Sequence, residues 1–154
     1  MPNQLPLDTL IGLAKESTDE AARVLGRLNT ERNHAEQQLS MLQDYRQDYL
    51  DRLQAAMRSG MSAADCHNYQ RFIGTLDDAI GQQTAVLRQA DTYLAQGRTH
   101  WQQQQRRLNS FDALADRERR ALAVLETRRE QRASDEFASR MTYRQAGPHQ
   151  GQPH

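Results

Sequence analysis

The chain has 154 residues, enough for one domain, yet only 37% are hydrophobic and 6% aromatic, against roughly 45–50% hydrophobic in ordinary soluble domains. Its 20 basic residues, all Arg except Lys15, are balanced by 20 acidic ones, so the basic excess that general nucleic-acid binding needs is missing. No apolar run approaches a bilayer span. The lone Cys66 excludes an internal disulfide framework, and the first residues lack the basic and apolar regions of a signal peptide, so the cytoplasm is expected.

All four prolines (Pro2, Pro6, Pro148, Pro153) lie near the ends, leaving an interior rich in Gln, Arg, Glu, Leu and Ala that favours long helices. Alternating steps of three and four from Ile11 pass through Ala14, Thr18, Ala21, Leu25, Leu28, Arg32, Ala35, Leu39, Leu42, Arg46, Tyr49, Leu53 and Ala56. Only Thr18, Arg32 and Arg46 are polar in that series, the pattern of a coiled-coil seam. Pro6 ends the extended leader and Asp8 is the expected N-cap.

The punctuation comes at Ser59-Gly60-Met61-Ser62. Gly60 can adopt the left-handed conformation that closes a helix, Arg58 suits the negative helix end, and Ser62 with Asp65 resembles a shortened capping box. A second seam follows: Tyr69, Ile73, Leu76, Ile80, Gln83, Leu87, Ala90, Leu94, Gly97, Trp101, Gln104, Leu108, Phe111, Ala115, Glu118, Leu122 and Leu125. Two long seams joined by a short turn predict an all-α fold, an antiparallel two-helix coiled coil. Its second helix, to about Arg140, is longer than its first: nearly 120 Å against roughly 75 Å. Folding about Gly60 sets residue i opposite roughly residue 120 − i, so the first helix runs out near residue 112 and about 28 residues of the second extend past it. Such a stretch buries little and is marginal alone. The expected organisation is a flexible leader over 1–7, the hairpin over 8–140 with its turn near 59–62, and a disordered polar tail over 141–154.

No catalytic constellation accompanies this architecture. The five histidines show no metal-ligand spacing with carboxylates or Cys66, no glycine-rich loop follows a strand, and a hairpin lacks a concave pocket. The expectation is a non-enzyme with no cofactor, no metal and no small-molecule substrate. What the seams leave over is apolar surface. Phe72, Ala79, Val86 and Tyr93 form a seven-residue column beside the second seam, and Gln38 and Tyr45 flank Leu39 and Leu42 on the first. These residues either broaden the core as lids or dock a partner. Past the end of the first helix, Arg117, Arg119, Arg120, Arg128, Arg129 and Arg132 alternate with acidic residues around a ridge of Leu114, Leu122 and Leu125. This is either a solvated face or a stripe that inserts into another protein.

The stretch Gln37–Tyr49, with its Gln-Leu, Leu, Tyr and Tyr positions, resembles the FliJ family of the bacterial flagellar type III export apparatus. So do Asn68–Leu76 followed by Ala79-Ile80, then Trp101, and Asp135-Glu136-Phe137-Ala138. The resemblance covers most of residues 8–140. It implies a stalk-like antiparallel coiled coil that binds the hexameric flagellar export ATPase and the export-gate membrane protein. It further implies promotion of ring assembly, coupling of ATP hydrolysis and proton motive force to export, and escort of flagellar export chaperones. By that resemblance, gate binding falls on Gln38, Leu42, Tyr45, Tyr49, Phe72, Leu76 and Ala79, and on Gln83 at a position that can be His in the family. Together with the uncovered stretch, it directs ATPase-ring binding to Leu114, Arg117, Arg120, Leu122, Leu125 and Arg128. The chain is then expected to be a monomeric hairpin, cytoplasmic and peripheral at the inner face of the cell membrane at the flagellar base. The equivalent stalk of a needle-type secretion system, and a dimerising coiled-coil scaffold, are the alternatives.

Overall fold

The computed structural model describes residues 6–146. Two helices make up almost all of them: α1 (Leu7–Ser59), of 53 residues, and α2 (Ala63–Gln145), of 83. The expected helical hairpin is the observed fold. The leader up to Leu5 and the tail from Gly147 lie outside the described residues.

Helix ends follow local chemistry. The Pro6 carbonyl accepts from the amides of Thr9 and Leu10 at 3.0 and 3.1 Å, so α1 starts two residues earlier than an Asp8 cap would set it. Asp8 instead sits in the first turn, where its charge complements the positive helix end. Gly60 takes φ +84°, with its amide on the Met57 carbonyl. The Ser62 hydroxyl then accepts from the Asp65 amide at 3.1 Å and caps α2. At its far end α2 continues to Gln145, past Arg140, into residues expected to be disordered. Met141 to Arg144 are ordinary helix formers, and no proline interrupts them before Pro148.

The chain divides into two units: residues 12–108, and residues 109 onward together with the first turn of α1. In the larger unit every seam position from Ala14 to Ala56 and from Tyr69 to Leu108 is buried or half-buried, as the three-four spacing requires. Ala14, Ala21, Ala35, Leu53, Ile73 and Leu76 are the most enclosed. Four polar seam positions, Thr18, Arg32, Arg46 and Gln83, have partners. Thr18 returns its hydroxyl to the Ala14 carbonyl at 2.7 Å. Arg46 reaches Asp77 at 2.5 Å, and Arg32 reaches Asp91 at 2.8 Å while also binding Glu36. These contacts hold the Arg32 pKa above its ordinary value, chiefly through the Asp91 hydrogen bond. The Gln83 amide donates to the Ala35 carbonyl at 3.0 Å.

Arg32 and Arg46 are two heptads apart, and so are Asp77 and Asp91. A slip of one heptad would therefore break both ties, leaving Arg46 beside Gln70 or Thr84 and Arg32 beside Thr84 or Arg98. Polar seam residues commonly select register in this way, at some expense in stability. Gly97, the other irregular position, is a notch. A Cβ there would come within 2.7 Å of Leu28 Cδ1, so its missing side chain makes room for that leucine.

In the smaller unit Leu10 and Ile11 are half-buried, as are Phe111 and Ala115. Every described residue from Asp116 onward is exposed. The seam expected to continue through Glu118, Leu122 and Leu125 is therefore uncovered at those three positions, because α1 begins at Leu7 and offers nothing to pack against them.

Candidate functional site

The first candidate surface belongs to the larger unit, on the half of the hairpin nearer the turn. Tyr49, a seam residue, carries the Phe72 ring against its own at a centroid separation of 4.3 Å and the Tyr69 ring at 6.2 Å. Arg52 lies over the Tyr49 ring, 5.4 Å from its centroid, and is held by Asp48 at 3.1 Å. Tilted rings at these separations are favourable beyond their buried area. Phe72 nevertheless keeps 41% of its surface exposed and Tyr45 keeps 55%. The lid reading thus holds for the inner edge of Phe72 only, and a large part of both rings faces solvent.

Beside this cluster Gln38, Met41, Leu42, Tyr45 and Gln83 line an open groove of about 270 Å³. Four of those five are residues singled out from the sequence. Of the other four, Tyr49 and Phe72 form the adjoining ring stack, Ala79 is half-buried, and Leu76 is closed into the seam. Leu76 therefore shapes the surface from beneath. Gln83 is half-buried, and its amide nitrogen is engaged by Ala35 and, at 3.4 Å, by Gln38. It fixes the floor of the groove and carries no ionisable group.

Sequence reasoning missed Met41, which is 60% exposed on the groove rim. The available signal was its helical spacing, three residues after Gln38 and four before Tyr45. An unbranched thioether at a rim is adaptable contact surface.

The second candidate surface lies in the smaller unit, on α2 from Leu114 onward. Leu114, Leu122 and Leu125 are 46%, 60% and 52% exposed. Arg117, Arg120 and Arg128 are exposed too, and they fall on one stripe of the helix with Val124 between them, at spacings of three, four and four. Asp116 on another face is bound by Arg119 at 2.5 Å. The arrangement can supply an apolar ridge with guanidinium groups beside it, suited to carboxylates in a partner groove. Val124, Phe137, Met141 and Tyr143 are further exposed apolar residues not singled out for this surface from the sequence. Phe137 and Met141, four apart, share a face, a signal that a search confined to leucine ridges passes over.

Among the described residues no three His, Cys, Asp or Glu side chains come together as a metal site, and no helix is long and apolar enough to cross a membrane. Cys66 is half-buried.

With this geometry in place, comparison with known proteins is informative. Residues 3–147 match the family described as flagellar FliJ protein. The chain is 37% identical over 138 residues to the flagellar FliJ protein of Salmonella typhi, an alignment spanning 90% of this chain and 94% of that protein. It is 36% identical, over the same shares of each chain, to the flagellar FliJ protein of Escherichia coli strain K12.

Proposed function

Because the chain belongs to the flagellar FliJ protein family, we propose that it is a non-enzymatic, stalk-like component of the flagellar type III export apparatus. It binds the export ATPase hexamer through the exposed ridge of α2, at Leu114, Arg117, Arg120, Leu122, Leu125 and Arg128. It binds the export-gate membrane protein through the groove and ring cluster, with Gln38, Leu42, Tyr45, Tyr49, Phe72 and Ala79 at the surface and Leu76 and Gln83 supporting them. It promotes assembly of the ATPase ring, couples ATP hydrolysis and proton motive force to export, and escorts export chaperones. It works as a monomeric hairpin on the cytoplasmic side of the membrane at the flagellar base.

One observation carries this reading. The seven-residue pattern of α2 is covered as far as Ala115 and uncovered from Asp116 to the last described residue, although exposed leucines continue. An uncovered ridge of this kind is marginal in water and gains from a partner that completes its packing.

The test is ATP hydrolysis by the flagellar export ATPase with and without this protein. The full chain should stimulate hydrolysis, and a chain ending at Phe111 should not. Full stimulation by the shortened chain would remove the ridge from the mechanism. For the gate, Phe72→Ala should weaken binding by about 2 kcal/mol if the ring is a hot spot, with helicity unchanged. The flagellar system is favoured over the needle-type one by the relatives' flagellar names.

A further inference from the structure

The groove beside Tyr45 has a second copy one heptad along the hairpin. Leu28, Ala35, Val86, Ala90 and Tyr93 line an opening of about 180 Å³, with Glu31 and Gln89 at its rim. On α1 the two openings use equivalent positions: Glu31 stands seven residues before Gln38, and Ala35 seven before Leu42. On α2 the column Phe72, Ala79, Val86 and Tyr93 runs past both. Val86 and Tyr93 are 50% and 48% exposed, so the column continues beyond the proposed gate-binding residues as open apolar surface.

The opposite flank of the α2 seam is different. It carries Asp77 and Asp91, tied to Arg46 and Arg32. One edge of the hairpin is thus closed by ion pairs, and the other is an apolar furrow with a seven-residue repeat.

Charge narrows what can lie in that furrow. Its one acidic lining residue, Glu31, is already met by Arg27 at 3.9 Å, and at the turn-proximal end Arg52 is met by Asp48. The α2 rim is uncharged: Thr75, Gln82 and Gln89, the last donating to the Tyr93 hydroxyl at 2.9 Å. The two arginines at this edge, Arg27 and Arg52, each lie beside a carboxylate, an arrangement that favours an apolar ligand over a phosphate-bearing one. A surface whose apolar column repeats every seven residues on α2, with its charges confined to the α1 side and paired there with the opposite sign, is complemented by a helix whose facing side is apolar at the same interval.

We propose that this edge is one continuous furrow that receives an amphipathic helix of about 20 residues, the length of α2 from Phe72 to Tyr93. The helix comes from the export-gate protein, and Val86 and Tyr93 are part of its binding surface. The identity of that partner rests on the function proposed above, whereas the furrow and its occupant's geometry rest on the hairpin itself.

The experiment is site-specific photo-crosslinking of the full chain to the intact export-gate protein in detergent, with the reactive residue placed at Phe72, Val86, Tyr93 or, on the opposite flank, Gln70. Cross-links from Val86 and Tyr93 should fall on one segment of the gate protein at sites seven residues apart, with none from Gln70. Val86→Glu and Tyr93→Ala should each reduce affinity tenfold or more while leaving the circular dichroism of the hairpin unchanged. Cross-links from Phe72 alone, or sites without helical spacing, would overturn the inference and leave the gate reading standing. Absence of cross-links from all four positions would overturn both.

Discussion

Two stretches of α2 carry the same kind of pattern and meet different fates. From Tyr69 to Ala115 each seam residue is covered; from Asp116 to Ala146 each described residue is exposed, Leu122 and Leu125 included. Helix formation does not separate them, since α2 is one unbroken helix. What separates them is supply. A seam is half of an interface, and its energy is realised only where a second apolar stripe lies opposite. The first stretch has that stripe in α1, whereas the second displays its leucines to whatever binds them.

Paired truncations put the contrast to its hardest test. Leu76→Ala should destabilise the hairpin by about 2–4 kcal/mol, the range for emptying an enclosed leucine site, read by urea denaturation followed by circular dichroism. A loss below 1 kcal/mol would mean that the covered seam is not a packed core. The notch is next in size. Gly97→Leu should cost about 1–3 kcal/mol by overpacking against Leu28; an unchanged denaturation midpoint would show that Leu28 can move aside freely.

A smaller gain is expected at two open glycines. Added Cβ atoms at Gly74 and Gly81 would meet nothing within 4 Å, so Gly74→Ala and Gly81→Ala should each raise stability by about 1 kcal/mol through helix propensity. A decrease in melting temperature for either would contradict the open surroundings.

The register ties should contribute less. Arg46→Ala should cost about 0.5 kcal/mol, since both side chains of the pair are partly exposed. Exchanging the charges, Arg46→Asp with Asp77→Arg, should recover most of the loss in a double-mutant comparison. The smallest effect belongs to the uncovered stretch, where Leu122→Ala should change stability by no more than about 0.5 kcal/mol. If Leu122→Ala matched Leu76→Ala, the division between covered and uncovered seam would collapse.

Much of this molecule was legible in the order of its residues. The proline-free interior, the three-four spacing and the Gly60-to-Ser62 punctuation specified two helices and their turn, because each depends on local backbone preference and on one-dimensional periodicity. The end of α2 was harder to place, since the residues from Met141 to Gln145 carry no stop signal and can continue a helix as readily as leave it. The aromatic surplus around Tyr45 and Phe72 was visible as residues beyond what two seams require. Its division into a stacked inner edge and an exposed outer one was not, because that depends on how closely Tyr49 approaches Phe72 across the hairpin.

By itself, then, the sequence determined an all-α hairpin of unequal helices, the location of its turn, and the seam positions as far as a mate exists for them. Only the tertiary structure decided where the covered seam stops, which polar seam residues pair, and that one edge is closed by ion pairs while the other is an open furrow. Periodicity is a property of one helix and can be counted along it. Register, ion pairing and exposure are properties of two surfaces brought together, and they depend on offsets of a few residues that neither helix carries alone.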